Sequence, residues 1–220
     1  MPKPSTYLLG ALVLAALAGW VDAPLTQFIH ANLTPSLDDF FDDVSDIANS
    51  ELYALTALGA YGTGLFALSL PTAQRWAVVC QRLVRGGLLL LLTMLTGGLI
   101  TLVLKHVVAR ARPSQLLEHG YYGLATPFSG SPFNSFPSSH TLTAFAVAAV
   151  LAKLLPAWRW PLLALAAIVA ACILTLEHFL SDVVAAALIA LACTHFWAPR
   201  VLSPQASWPL RQPWRWHKAS

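Results

Sequence analysis

Two basic residues, Lys105 and Arg112, stand seven positions apart, and Pro113 follows the second directly. If one helix continues through them, they lie two turns apart on nearly the same face. An ammonium and a guanidinium that converge in this way suit a phosphate group, which the planar guanidinium can bind with two hydrogen bonds. Either residue alone is equally typical of a side chain that reaches from a membrane helix to the lipid headgroups.

Two histidines follow in settings that favour reactions at phosphate. His140 ends the sequence Pro-Ser-Ser-His at 137–140. This run is typical of a helix start, where unbonded backbone N–H groups attract an anion, but it also fits serine caps beside an incidental histidine. His178 stands four residues before Asp182, so on a helix the two share one face. The carboxylate can then hold one imidazole nitrogen and leave the other as nucleophile or base, although an isolated pair of this kind is more often structural.

The composition indicates that these residues belong to a membrane protein. Of the 220 residues, 57% are hydrophobic and 10% are charged, and the mean hydropathy is +0.63. A soluble domain carries about 25% charged residues. Because backbone groups in lipid must bond within helices, and the apolar runs do not alternate, we predict an all-α polytopic protein with six transmembrane helices. The predicted spans are 6–20, 52–70, 87–108, 141–155, 161–176 and 183–197.

The charges predict how the spans are oriented. With the N-terminus inside, all 10 acidic residues fall outside. The basic residues that fall inside are Lys3, Arg75, Arg82, Arg85, Lys153, Arg159, Arg200, Arg211, Arg215 and Lys218. Both termini are therefore expected in the cytoplasm. Lys105, Arg110 and Arg112 are exceptions on the outside, and such a cluster indicates an anionic partner. The first span also fits a cleaved signal peptide, but its weak basic region predicts that it is retained.

Two outer loops connect the spans. The loop at 23–50 contains an aspartate cluster at 38–43, which could bind a divalent metal. No histidine accompanies the acids, so we predict instead an amphipathic helix at the interface with Phe40, Val44 and Ile47 on its apolar side. The loop at 109–139 is rich in Gly, Pro, Ser and aromatic residues, which predicts a structured loop at the membrane surface.

The span lengths predict that the two histidines meet. A helix from His140 descends to about Pro156, and the next rises from about Pro161 to His178, each about 17 residues long. The third span delivers Lys105 and Arg112 to the same outer level. The sequence therefore predicts one phosphate-handling site at the non-cytoplasmic surface.

Taken together, these motifs resemble those of the type-2 phosphatidic acid phosphatase (PAP2) superfamily, which read K-x6-RP, PSGH and SR-x5-H-x3-D. They appear here as Lys105-x6-Arg112-Pro113, Pro137-Ser138-Ser139-His140 and His178-x3-Asp182. The resemblance implies that His178 is the nucleophile and forms a phosphohistidine, that Asp182 orients it, and that His140 protonates the leaving oxygen and then helps to activate water.

The resemblance also implies how the phosphoryl oxygens are held. Their ligands would be Lys105, Arg112, Ser138 and the backbone of Ser139, acting by position and charge without a metal or another cofactor.

Two positions depart from the family pattern. Ser139 replaces a glycine, which is acceptable if its φ is ordinary and only its N–H is used. Ala171 and Cys172 stand where the third motif begins Ser-Arg, and that arginine normally contacts the phosphate. Loss of such a clamp costs about 3–5 kcal/mol of transition-state stabilisation, by comparison with truncated buried ion pairs. Arg110 is a candidate replacement, but on a helix it points about 160° away from Arg112.

We therefore predict a single PAP2-type transmembrane domain over residues 1–220, with active-site motifs at 105–113, 137–140 and 178–182 and a cytoplasmic tail at about 198–220. The expected function is hydrolysis of a phosphate monoester or pyrophosphate of a phospholipid, prenyl or lipid A-type substrate, at the outer face of a bacterial inner membrane. Two alternatives stay open: a lipid phosphotransferase with the same phosphohistidine, and an impaired lipid-binding homologue that has Cys172 in place of the arginine. No nucleic-acid partner is expected, and the oligomeric state is not predicted.

Overall fold

A computed structural model of the chain describes residues 4–70, 75–174 and 177–203, with side chains from residue 8 onward. Its regular structure is helical, which confirms the all-α class. The helices are α1 (Pro4–Ala16), α2 (Asp22–Asn32), α3 (Pro35–Asp46), α4 (Ser50–Ser69), α5 (Ala77–Val108), α6 (Pro113–His119), α7 (Ser139–Leu154), α8 (Arg159–Cys172) and α9 (Leu180–Leu202). A π-helical turn, Leu17–Val21, joins α1 to α2, and a 3-10 turn, Pro156–Trp158, joins α7 to α8.

Four helical stretches in the described part of the chain are long and apolar enough to cross a membrane. They are Leu8–Asn32, Pro35–Ser69, Ala77–Val108 and Leu180–Leu202. Helices α7 and α8 are apolar but shorter, so the count of six spans stays a prediction. The predicted tail at about 198–220 begins inside α9, and its residues from 204 onward lie outside the described residues, as do residues 175 and 176 of the fifth predicted span.

Helix α5 is central to the fold, because it packs against α4, α7 and α9. Small residues allow these close approaches, as expected for helices in lipid. A Cβ added to Gly87 would lie 2.6 Å from the backbone oxygen of Ala57 on α4. On the other side, Ala146 of α7 and Ala186 of α9 are fully buried in the same core. Packed in this way, the end of α5 and the beginnings of α7 and α9 meet at one end of the bundle.

Two helix boundaries differ from the sequence-based expectation. Helix α5 ends at Val108 and does not continue through Arg112, because Ala109 adopts a left-handed conformation with φ of 47°. Arg112 is extended and precedes α6, as the residue before a proline prefers. Helix α9 begins only at Leu180, so His178 and Asp182 do not share a helix face. Both predictions of a common helix face were therefore wrong.

Of the two predicted outer loops, the segment 109–139 is structured as expected. The segment 23–50 is not a loop but consists mainly of α2 and α3, which extend the first two predicted spans. Residues 109–139 are held by backbone hydrogen bonds, among them Ala111 N–H to the Gly123 carbonyl at 3.0 Å and Arg112 N–H to the Pro132 carbonyl at 3.0 Å. The aspartate cluster lies on α3, which packs against α8. In the described part of the chain, no three His, Cys, Asp or Glu side chains come together as metal ligands would.

Candidate active site

A cavity of about 160 Å³ lies where the ends of α5, α7 and α8 meet. Its lining includes Lys105, Arg112, Ser139, His140 and His178, which the sequence predicted to converge. The remaining lining residues are Asp42, Ser45, Ile173 and Glu177. The histidines are brought together by the antiparallel pair α7 and α8, as the span lengths predicted.

The two cations of the cavity are held by a residue that sequence reasoning missed. Lys105 Nζ donates to the backbone oxygen of Asn134 at 2.7 Å, and Arg112 Nε donates to the Asn134 side-chain oxygen at 2.8 Å. Arg112 Nη1 also forms an ion pair with Glu177. These contacts place an ammonium and a guanidinium on one wall, although they do not share a helix.

The beginning of α7 forms another wall of the cavity. Ser139 is the first residue of this helix and has an ordinary helical conformation, so no glycine is required there. The N–H groups of Ser139 and His140 belong to the first turn, where no carbonyl of the same helix can accept from them. Ser138 is fully buried, and its hydroxyl accepts from the Thr141 N–H at 3.3 Å as a helix cap. Ser138 is thus not part of the lining, and its predicted contact with phosphate stays a prediction.

His178 is buried with its Nδ1 atom 3.9 Å from Asp182 Oδ2. Nδ1 makes no hydrogen bond in this arrangement. Burial holds the pKa of His178 well below its ordinary value, and the positive charges of Lys105 and Arg112 lower it further. The imidazole is therefore neutral near pH 7, which is the form that can act as a nucleophile.

Arg110 does not line the phosphate cavity. It leaves the end of α5 in an extended conformation, and its Nη1 donates to Asp182 Oδ1 at 2.6 Å. The angle of about 160° that a continuous helix would set between Arg110 and Arg112 does not apply, because no helix continues through this position. Burial alone would lower the pKa of Arg110, but the carboxylates of Asp182 and Asp22 outweigh burial and raise it. The guanidinium is therefore permanently charged and committed to Asp182 rather than to a substrate.

The position of the missing family arginine is apolar. Cys172 is a buried free thiol at the end of α8, and Ile173 beside it lines the cavity. Among the described residues that line the cavity, Arg112 is the one guanidinium. Lys105 and Arg112, the two basic residues that the sequence indicated, thus line the cavity, and no third Lys or Arg joins them among the described lining residues.

A second cavity of about 240 Å³ adjoins the first, with Lys105 and Ser139 lining both. It lies between α5 and α7, and its walls are mainly apolar. The lining residues on these helices include Met94, Gly98, Leu102 and Leu142. The second cavity therefore lies directly beside the polar site.

The fold and the site define a membrane protein of the PAP2 type. The sequence pattern of the PAP2 superfamily matches residues 86–203, more than half of the chain, so the chain belongs to this superfamily. The family that the sequence motifs predicted is thereby confirmed.

Two curated relatives and two solved structures are similar to the chain. A lipid A 1-phosphatase of Rhizobium johnstonii is 38% identical over 101 residues, which are 45% of this chain and 41% of the relative. A lipid A 1-phosphatase of Rhizobium etli is 37% identical over 101 residues, 45% of this chain and 43% of the relative. The matched part is thus less than half the length of either relative.

The similar structures support the fold. A PAP2-type phosphatidylglycerolphosphate phosphatase from Bacillus subtilis matches with a TM-score of 0.62 and 22% identity, covering 89% of this chain and 94% of the other. Aquifex aeolicus LpxE matches with a TM-score of 0.54 and 22% identity, covering 80% and 93%. The chain therefore has the fold of membrane PAP2 phosphatases and is an integral membrane protein.

Proposed function

We propose that this protein is a membrane lipid phosphatase that hydrolyses a phosphate monoester or pyrophosphate through a phosphohistidine at His178. One observation carries the proposal: two histidines and two cations, from separate parts of the chain, line the same cavity of about 160 Å³. Membership of the PAP2 superfamily supports it independently.

The geometry suits a two-step mechanism. Lys105, Arg112 and the first N–H groups of α7 hold the phosphoryl oxygens, where negative charge develops. His178 attacks phosphorus through Nε2, because Nδ1 lies on the side of Asp182. The bond to the leaving oxygen breaks as the P–N bond forms, and His140 donates a proton to that oxygen. His140 then takes a proton from water, which attacks phosphorus and releases phosphate from His178.

The second cavity supports a lipid as the substrate. A phosphoryl group in the first cavity would leave its apolar tail next to Gly98 and Leu142, between α5 and α7. The two curated relatives act on lipid A, and the more similar of the two structures is a phosphatidylglycerolphosphate phosphatase. We propose lipid A-type molecules as the first candidate substrates and phosphatidylglycerophosphate as the second. The distribution of charges favours a site on the outer face of a bacterial inner membrane, with both termini inside.

The test is release of inorganic phosphate by the purified protein in detergent. The substrates are lipid A, phosphatidylglycerophosphate, phosphatidic acid and undecaprenyl pyrophosphate. We expect the wild type and the exposed control His119→Ala to release phosphate from at least one of them, and His178→Ala to release none. Equal release by wild type and His178→Ala would refute the proposal. Labelled phosphate that appears on an acceptor lipid would instead favour the phosphotransferase alternative.

Two observations favour the impaired, lipid-binding alternative: Cys172 offers no charge at the place of the family arginine, and Arg112 is already paired with Glu177. A binding protein of this kind would retain the phosphorylated lipid in both wild type and His178→Ala, with no turnover by either. Equilibrium binding of the same four lipids, measured beside phosphate release, distinguishes the two functions.

A further inference from the structure

Arg110 is the centre of a buried polar network behind the active site. Its side chain is 9% exposed, and its two terminal nitrogens make four hydrogen bonds. Nη1 donates to Asp182 Oδ1 and to Ser181 Oγ, both at 2.6 Å. Nη2 donates to Asp22 Oδ2 at 2.8 Å and to the Tyr122 hydroxyl at 2.7 Å. One guanidinium therefore joins Asp182 to Asp22, which lies 160 residues earlier in the chain.

Asp22 makes a second, independent connection to the catalytic segment. Its carboxylate is fully buried and accepts from the Ser181 backbone N–H at 3.0 Å and from the Ser181 hydroxyl. Ser181 directly precedes Asp182. The beginning of α2 thus holds both the guanidinium that contacts Asp182 and the backbone next to it. The π-helical turn Leu17–Val21 comes directly before Asp22, and such turns are often found at functional sites.

These contacts fix the orientation of the Asp182 carboxylate. Oδ1 accepts from Arg110, while Oδ2 accepts from the Ser135 hydroxyl at 2.5 Å and from the Phe179 N–H at 3.0 Å. Oδ2 is also the atom that lies 3.9 Å from His178 Nδ1. Rotation of the carboxylate would break the bond to Arg110. The distance and angle at which Oδ2 meets the imidazole therefore depend on where Arg110 is held, and Asp22 holds it.

The charges of this network also support a role for Arg110 in holding Asp182. A buried carboxylate needs a cation or several donors to remain ionised, and Arg110 supplies both. Asp22 contacts the same guanidinium through its other terminal nitrogen. Apolar residues of similar volume often stabilise a core as well as buried ion pairs do. Stability alone therefore does not explain why two carboxylates and a guanidinium are buried here.

We infer that Asp22 and Arg110 are positioning residues, which orient the Asp182 carboxylate toward His178 and so make the N-terminal helical segment part of the catalytic apparatus. The inference rests on the proposed function of His178. Neither residue touches the phosphate cavity, and both act through Asp182.

A double-mutant cycle in phosphate release tests this inference. Asp22→Asn keeps the size of the side chain but removes its charge, and Arg110→Lys keeps the charge but loses the fork that reaches both carboxylates. Each change is expected to lower kcat about tenfold, the size of one misplaced charge-assisted contact, with KM within about twofold. The control is Asp39→Asn, the same change at an exposed carboxylate of α3.

The energetic coupling between the Asp22 and Asp182 substitutions distinguishes a positioning role of Asp22 from a merely structural one. If Asp22 acts through Asp182, the double variant Asp22→Asn, Asp182→Asn has about the same kcat as Asp182→Asn alone. Thermal unfolding in detergent shows what fraction of each variant is folded. The inference is overturned if Asp22→Asn leaves kcat of the folded protein unchanged. It is also overturned if the double variant loses kcat by the product of the two single-variant factors.

A second readout does not depend on turnover. Nitrogen NMR of histidine-labelled protein, with the His178 signal identified by its loss in His178→Ala, reports which imidazole nitrogen carries the proton. We expect a single tautomer with the proton on Nδ1 in the wild type, and a mixture in both Asp22→Asn and Asp182→Asn. Identical His178 spectra in wild type and Asp22→Asn would overturn the inference. Absence of phosphate release by the wild type would count against the proposed function instead, and the spectra would still decide the role of Asp22.

Discussion

The ion pair between Arg112 and Glu177 makes a sharp prediction about substrate affinity. Arg112 is bound to Asn134 through Nε and to Glu177 through Nη1. A phosphoryl group that enters the cavity must replace Glu177 as the partner of Nη1. Glu177 is thus a competitor of the substrate, and Glu177→Gln removes its charge while keeping its size.

The size of the effect follows from the exposure of the pair. The side chain of Arg112 is 26% exposed and that of Glu177 is 56% exposed. Solvent screens a pair of this kind, which is worth at most about 1 kcal/mol. Release from this competition should therefore tighten phosphate binding by about two- to fivefold.

The assay compares the inhibition constant of inorganic phosphate and the KM of the lipid substrate in wild type and Glu177→Gln. Both constants should fall by the same factor, and the difference should shrink at high salt because screening already weakens the pair. The matched control is Glu118→Gln, since Glu118 is 67% exposed and lies outside the cavity lining. An unchanged or weaker affinity for phosphate in Glu177→Gln would show that Glu177 does not compete for Arg112, and would refute this reasoning.

Three further predictions concern the clamp, the nucleophile and the lipid path. Cys172→Arg should raise kcat at least about tenfold if a clamp was lost, by part of the 3–5 kcal/mol that such a clamp supplies. Cys172→Met is the uncharged control, and a folded Cys172→Arg protein with no gain would contradict the loss. Because the pKa of His178 is lowered, its neutral form persists as the pH falls, so kcat should hold below pH 6.5, and an acid limb at or above 6.5 in the pH profile would contradict a buried neutral nucleophile. Gly98 has space for a side chain in the second cavity, so Gly98→Leu should raise KM for long-chain lipid phosphates several-fold and leave short-chain esters unchanged. Gly59→Leu, at an equally open position, is its control, and equal effects on both chain lengths would exclude this cavity as the lipid path.

The meeting of the two histidines could be predicted from the sequence because it depends on lengths alone. Helices α7 and α8 form an antiparallel pair around the turn at Pro156–Trp158, and equal limbs return to one level whatever their packing. The positive-inside rule then predicts on which side of the membrane the two histidines meet. These arguments need no knowledge of individual contacts.

The end of α5 could not be predicted in the same way. A left-handed alanine at position 109 has no sequence signal, since this conformation is usually taken by glycine. Pro113 indicated that Arg112 is extended, but not that the helix stops four residues earlier. Because the chain turns at Ala109, Arg110 contacts Asp182 and Arg112 lines the cavity.

The role of Asp22 was hidden because its partners are distant in sequence. The sequence places Asp22 only among the acids on the outer side. Its contacts with Arg110 and Ser181 arise when the first helical segment packs beside α9. One signal was available: a single carboxylate directly after an apolar run is costly unless it is paired. The cluster of outer cations then offered Arg110 as a partner.

The most direct test of this account is to trap the phosphorylated enzyme. The protein is mixed with a substrate that carries radiolabelled phosphate and quenched within a turnover, and the labelled peptide is identified by mass spectrometry. The account predicts an acid-labile, base-stable label on His178 in the wild type and none in His178→Ala. Turnover by the wild type with no label on His178, or with the label on another residue, would contradict it.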